Sequence, residues 1–164
     1  MKILGIDPGT ATLGWGVIDV LGGKMEVVAY GHISTEKELA LPARLKEIAT
    51  DLEALLEKYA PEEAAVEELF FSNNQKTIMA VGQARGVILL TLERYGIKIA
   101  EYTPLQVKQA LTNYGRAEKA QVQLMVKALL KLGSIPKPDD AADALALAIC
   151  HSSRRRMENI RDSK

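Results

Sequence analysis

A chain of 164 residues, 48% hydrophobic and 26% charged, has room for one domain with a real core and lies far from disordered, collagen-like or coiled-coil compositions. No apolar run approaches the length of a membrane span, and the opening Lys2–Asp7 sets a carboxylate where a signal peptide needs apolar residues, so a cytoplasmic protein without membrane contact is expected. The formal charge is zero, yet residues 1–82 hold 7 Lys/Arg against 13 Asp/Glu and residues 83–164 hold 14 against 8, a dipolar split that fits either a cation-holding site beside a polyanion surface or unevenly sorted solvated charges.

In chain order, Lys2–Asp7 reads as a buried strand broken by Pro8-Gly9, and residues 13–21 as a second strand before Gly22-Gly23. Lys24–Ser34 alternates, with Met25, Val27 and Ala29 on one face and Val28 and Tyr30 on the other, which completes an antiparallel meander. Residues 42–59 carry Leu45, Ile48, Ala49, Leu52, Leu55 and Leu56 at the spacing of an amphipathic helix, which Pro61 ends. Ala64-Ala65-Val66 suits a short buried strand with Glu67-Glu68 at its end. After the polar Ser72-Asn73-Asn74-Gln75, residues 77–95 form a long helix stopped by Gly96. A fifth strand over 97–102 leads to Thr103-Pro104, a cap followed by proline at the first helical position, and a short helix to about residue 111. A linker over 113–116 precedes a helix over 118–132 that ends at Gly133, and Pro136 and Pro138 frame a last helix from 139 to about 155. That helix holds Cys150, the one cysteine, which can form no internal disulfide and fits a reducing compartment. The order βββαβαβααα describes an α/β fold with one domain over 1–155 and a tail over 156–164.

Acids stand where strand or helix ends can present them: Asp7 after Leu4-Gly5-Ile6, Glu67 after Val66, and Asp140 with Asp143 at the start of the last helix, three apart and so on one face. Capping and turn chemistry account for Asp139, Asp140 and Asp7 taken singly. Asp7 in a central strand and Asp143 in an apolar run need a partner or a metal. Oxygen ligands from three segments suit hard divalent cations that activate water on a phosphodiester, so the pattern fits a metal site and plain capping alike.

Six blocks then resemble, in order over nearly the whole chain, the RuvC family of Holliday junction resolvases: Ile6-Asp7-Pro8-Gly9-Thr10, Val66-Glu67-Glu68-Leu69-Phe70-Phe71 with Asn73-Asn74, Gly82-Gln83-Ala84-Arg85-Gly86, Gln106-Val107-Lys108-Gln109, Gly115-Arg116-Ala117-Glu118-Lys119, and the run from Asp140 through Asp143 to Ala146. The resemblance implies a ribonuclease H-like fold, whose mixed five-stranded sheet joins the meander to the fourth and fifth strands and is flanked by helices. It implies a structure-selective DNA endonuclease of recombination and repair that nicks four-way junctions symmetrically as a homodimer. Asp7, Glu67, Asp140 and Asp143 match the family's four acids, which bind Mg²⁺ or Mn²⁺, two ions per site, and direct water at a phosphate. The same resemblance points to the RuvA–RuvB branch-migration complex as partner.

Lys108 and Lys119 match family lysines at the junction or the scissile phosphate, where their charge would favour binding and help stabilise the transition state. Lys119 is therefore grouped with the catalytic residues. Lys76 and Arg116 are further candidates for backbone contacts, whereas Arg154-Arg155-Arg156 reads as a solvated helix end. The adjacent Phe70 and Phe71 cannot both face the core of an extended segment. Phe70 matches an aromatic that stacks on junction bases, beside Asn73 and Asn74 as further DNA contacts. Gly82 and Gly86, four apart on the long helix, allow close approach of another backbone, within the chain or, as the resemblance implies, across a dimer. An actin-like ATP-binding protein built on Asp7-Pro8-Gly9-Thr10 would need a second such domain, which 164 residues do not hold. A binding module without catalysis would lack one of the acids. A nuclease acting on RNA or a hybrid is opposed by the Phe70 loop and the Gly82 helix, not by the acids.

Overall fold

Ile3, Leu4 and Ile6 are almost fully buried, because β1 (Lys2–Asp7) is covered on both faces and so reads as a continuous apolar run rather than an alternating one. The structure, a computed structural model, describes residues 1–68 and 75–162, with the backbone alone at 75–77 and 162. β2 (Thr12–Leu21) and β3 (Lys24–Ser34) complete the antiparallel meander, and β4 (Glu63–Glu67) and β5 (Lys98–Tyr102) add parallel strands on the other side of β1. The sheet order is β3-β2-β1-β4-β5. This is the mixed five-stranded sheet expected, and among the described residues the ten elements follow in the order read from the sequence.

Helices α1 (Leu41–Tyr59) and α2 (Gln75–Arg94) cover one face, where Ile48, Leu52, Ala84, Ile88 and Leu92 pack on Leu4, Ile6, Leu13, Val17 and Val66. Helices α3 (Pro104–Thr112), α4 (Lys119–Leu129) and α5 (Asp139–Asp162) cover the other, with Val107, Val122, Val126, Leu145 and Ile149 against Ile3, Ile18 and Ala65. The expected cap of α3 is a reciprocal capping box: the Gln106 N–H donates to Thr103 Oγ1 at 3.2 Å and the Thr103 N–H to Gln106 Oε1 at 3.0 Å.

Two local features depart from the sequence reading. A bulge between Val17 and Ile18 in the β2–β3 ladder pairs Val17 with Ala29 but Ile18 with Val27. The skipped residue moves Ala29 to the face opposite Met25 and Val27, so simple alternation fails across it. Helix α5 also runs on to Asp162, past the Arg155 expected from the sequence. Residues 153–162 contain no Gly or Pro and several good helix formers, so nothing local ends the helix there. Cys150 is buried and free, and no helix among the described residues is long and apolar enough to cross a membrane.

Candidate active site

Strand alternation decides where Asp7 points. Ile6 belongs to the α1/α2 side, so Asp7 at the end of β1 faces α5, the helix that brings Asp140 and Asp143 on its first turns. The helix can come this close because the strands beneath it present glycine. A Cβ at Gly5 would lie 1.8 Å from the Ala144 carbonyl oxygen, and one at Gly14, the partner of Asp7 across the ladder, 2.0 Å from the Asp140 carbonyl oxygen. Oxygens of Asp7, Asp140 and Asp143 thereby lie within 4.8 Å of one another. The loop after Asp7 is braced by Thr35, whose hydroxyl donates to the Thr10 carbonyl at 2.6 Å and accepts from Arg44 Nε at 2.8 Å.

Glu67 stands outside that triple, at the end of β4 beside β1. It lines a cavity of about 230 Å³ together with Asp143, Lys108 and Lys119, which brings α3, α4, α5 and β4 to one opening. The sequence reading gave no role to Arg85, yet its Nε donates to the Glu67 carbonyl at 3.1 Å while its guanidinium pairs with Glu101 on β5. Arg85 therefore fixes the backbone that carries Glu67. Its only sequence signal is its place inside one of the six blocks.

The acids disturb one another. Burial, then the charges of Glu67, Asp143 and Asp140, push Asp7 up to about 8, with Lys119 opposing. Burial and Asp143 raise Glu67 against a hydrogen bond with Asp7, and burial raises Asp143 against its bond to Lys119. The Lys119 ammonium donates to Asp143 Oδ2 at 2.7 Å and lies 3.8 Å from Asp139 Oδ2. Burial pulls Lys119 down, but its bond to Asp143 and the surrounding acids outweigh this and raise it. Asp139 is lowered, chiefly by a 3.0 Å hydrogen bond from Lys137. One ammonium thus faces more carboxylates than it can neutralise. An all-oxygen donor set with excess negative charge fits a hard divalent cation, which would relieve the repulsion.

Of the other sequence candidates, Arg116 is exposed on the loop between α3 and α4 and does not line the cavity. Phe70, Phe71, Asn73 and Asn74 lie outside the described residues, as does the side chain of Lys76. Gly82 and Gly86 are on α2, on the opposite face of the sheet from α5. Gly86 is exposed, and a Cβ there would meet no atom within 4 Å, so close packing inside the chain does not explain this glycine.

A ribonuclease H-like sheet with carboxylates gathered at the ends of β1 and β4 and the start of α5 has the arrangement of a nuclease whose acids fit a divalent cation. Within that class, the family model for "Crossover junction endodeoxyribonuclease RuvC" matches residues 3–151. The RuvC of Syntrophomonas wolfei is 54% identical over 163 residues, 99% of this chain and 95% of that protein. The chain belongs to the RuvC family of crossover junction endodeoxyribonucleases. Among solved structures, Thermus thermophilus RuvC superposes with a TM-score of 0.90 at 37% identity, covering 96% of this chain and 97% of that one. The same protein in complex with a Holliday junction substrate gives 0.91 at 37% identity, covering 96% of each.

Proposed function

We propose that this chain resolves Holliday junctions: it binds four-way junction DNA as a homodimer and nicks two strands symmetrically by metal-assisted hydrolysis, in recombination and repair. The observation that carries this reading is the approach of Asp7, Asp140 and Asp143 to within 4.8 Å, in a chain that matches the endonuclease family over residues 3–151. Asp7, Glu67, Asp140 and Asp143 hold Mg²⁺, two ions per site, with Mn²⁺ able to substitute. When bound, the cation supplies Lewis acidity at the phosphate and a hydroxide-like nucleophile at neutral pH. Asp7, pushed up to about 8, holds its proton at neutral pH, so loading the site releases that proton. Lys119 Nζ, 2.7 Å from Asp143 Oδ2, and Lys108, which lines the same cavity, set two positive charges beside a phosphodiester bound there. Phe70 stacks on a base opened at the cut site, with Asn73, Asn74, Lys76 and Arg116 as further contacts. The nuclease domain spans residues 1–155 and acts in the cytoplasm with the RuvA–RuvB branch-migration complex.

A cleavage assay with Mg²⁺ on mobile and immobile four-way junctions, linear duplex and an RNA–DNA hybrid tests this reading. Paired nicks confined to junctions are expected. Equal cutting of the hybrid would overturn junction selectivity in favour of a general ribonuclease H-like nuclease.

The dimer is supported by the surface around Gly86. A shallow groove of about 450 Å³, lined by Leu41, Pro42, Leu45, Val87 and Leu90, surrounds it, and Met79 and Leu90 are exposed on the same helix. Two α2 helices related by a two-fold axis would bury this apolar surface, with glycine admitting the close approach. Gly86→Leu is expected to give a folded monomer in sedimentation at concentrations where the parent protein is dimeric. A parent protein that stays monomeric at high micromolar concentration, free and on the junction, would count against the dimer.

A further inference from the structure

Helix α5 meets β4 at both ends of the strand. Near its start, Asp143 shares a cavity with Glu67. Two turns later the Tyr102 hydroxyl donates to His151 Nδ1 at 2.7 Å, and His151 Nε2 donates to Glu63 Oε2 at 2.6 Å. Glu63 Oε1 takes the Arg155 guanidinium and lies 3.9 Å from the Lys98 ammonium. Glu63 and His151 are buried, and no role in junction cutting has been given to either. Because the Glu63 carboxylate accepts from Arg155, His151 Nε2 must carry the ring proton, which leaves Nδ1 as the acceptor for Tyr102. A single proton arrangement satisfies all three groups, and burial holds the imidazole below its ordinary pKa, in its neutral form.

The spacing connects this chain of bonds to the acids. Glu63 and Glu67 end the same strand, four residues and about 13 Å apart. His151 and Asp143 lie on the same helix, eight residues and about 12 Å apart. The spans match, so a slide of α5 along β4 that parts Asp143 from Glu67 parts His151 from Glu63 equally. The apolar contacts of Leu145, Leu147 and Ile149 are non-directional and resist such a slide weakly, whereas hydrogen bonds of 2.6 and 2.7 Å lose their strength within a fraction of an ångström. We propose that the Tyr102–His151–Glu63 chain positions the cation site from a distance, by fixing the register of α5 against β4 and with it the spacing of Asp143 and Glu67. The inference rests on the reading of the acids as cation ligands.

Isothermal titration of the DNA-free protein with Mg²⁺ tests it without reference to cutting. His151→Leu is expected to bind Mg²⁺ about tenfold more weakly. The Mg²⁺ concentration for half-maximal junction cutting should rise by the same factor, saturating Mg²⁺ should restore most of kcat, and metal-free junction affinity should not change. Tyr102→Phe, which deletes one hydroxyl and keeps the ring packed, should shift Mg²⁺ affinity in the same direction by a smaller factor, and decides the matter if His151→Leu does not fold. Val126→Ala, buried under α5 but outside the chain of bonds, should lower stability and leave Mg²⁺ affinity unchanged. Folded His151→Leu or Tyr102→Phe proteins that bind Mg²⁺ like the parent, or a Val126→Ala protein that loses affinity equally, would overturn the positioning role. A parent protein that binds no divalent cation would overturn the reading of the acids beneath it as well.

Discussion

Asp7→Asn should lower single-turnover junction cutting by about a thousandfold or more while junction binding without metal persists, and the metal-free variant should melt above the parent protein. The two effects have one cause. Burial, then the charges of Glu67, Asp143 and Asp140, push Asp7 up to about 8 from 3.8. Its folded-state pKa is raised above its unfolded value, so its contribution to stability is fully present below pH 3.8 and is lost as pH rises through about 8. Asparagine cannot lose a proton. The melting temperature of Asp7→Asn relative to the parent should therefore climb between about pH 4 and pH 8 and level off above. Millimolar Mg²⁺ should raise the melting temperature of the parent and leave the variant little changed, since only the parent retains the full ligand set. Thermal melts from pH 4 to 9, with and without Mg²⁺, read both predictions on one pair of proteins. Melting curves that stay parallel across that range, or near-normal cutting by the variant, would remove Asp7 from the site.

The sequence exposed what is periodic or punctuated. The helix over 42–59 was announced by three-and-four spacing, α3 by Thr103-Pro104 and α5 by the prolines before it, because these signals are local. Asp7 and Asp143 drew notice because a carboxylate among apolar residues conflicts with burial. Lateral relations were not legible. The β2–β3 bulge inserts one residue without a glycine to mark it, and the Arg85–Glu67 and His151–Glu63 contacts join residues 18 and 88 apart. No periodicity encodes such pairs. Lys108 and Lys119 were singled out by resemblance alone, since as sequence they are ordinary helix lysines. Only the packing of α3 and α4 against α5 turns both toward Glu67 and Asp143. Gly14 and Gly16, inside β2, drew no notice in the sequence, and the structure shows what approaches them.

At Gly14 the approaching group is Asp140 itself. A Cβ there would stand 2.0 Å from the Asp140 carbonyl oxygen and 2.9 Å from its Cβ. Neither atom is the far end of a flexible side chain, so relief requires the start of α5 to lift off β2. Such overpacking costs about 1 to 3 kcal/mol, and a misplacement of about 1 Å at reacting groups lowers rates by about a hundredfold. Gly14→Ala should therefore fold with modestly reduced stability, lose about a hundredfold in cutting rate and weaken Mg²⁺ binding. Gly16→Ala is the comparison for general crowding under the helix, since a Cβ there would meet Cδ2 and Cγ of Leu145 at 2.7 Å but the α5 backbone only at 3.3 Å, so the strain falls mainly on a side chain that is not a ligand. It should lose stability comparably and keep most of its Mg²⁺ affinity. Gly133→Ala, with no atom within 4 Å of its added Cβ, should match the parent in both measurements. If Gly14→Ala instead binds Mg²⁺ and cuts junctions as the parent does, the height of α5 over β2 does not set the acid site. Asp140 would then owe its position to the helix start alone.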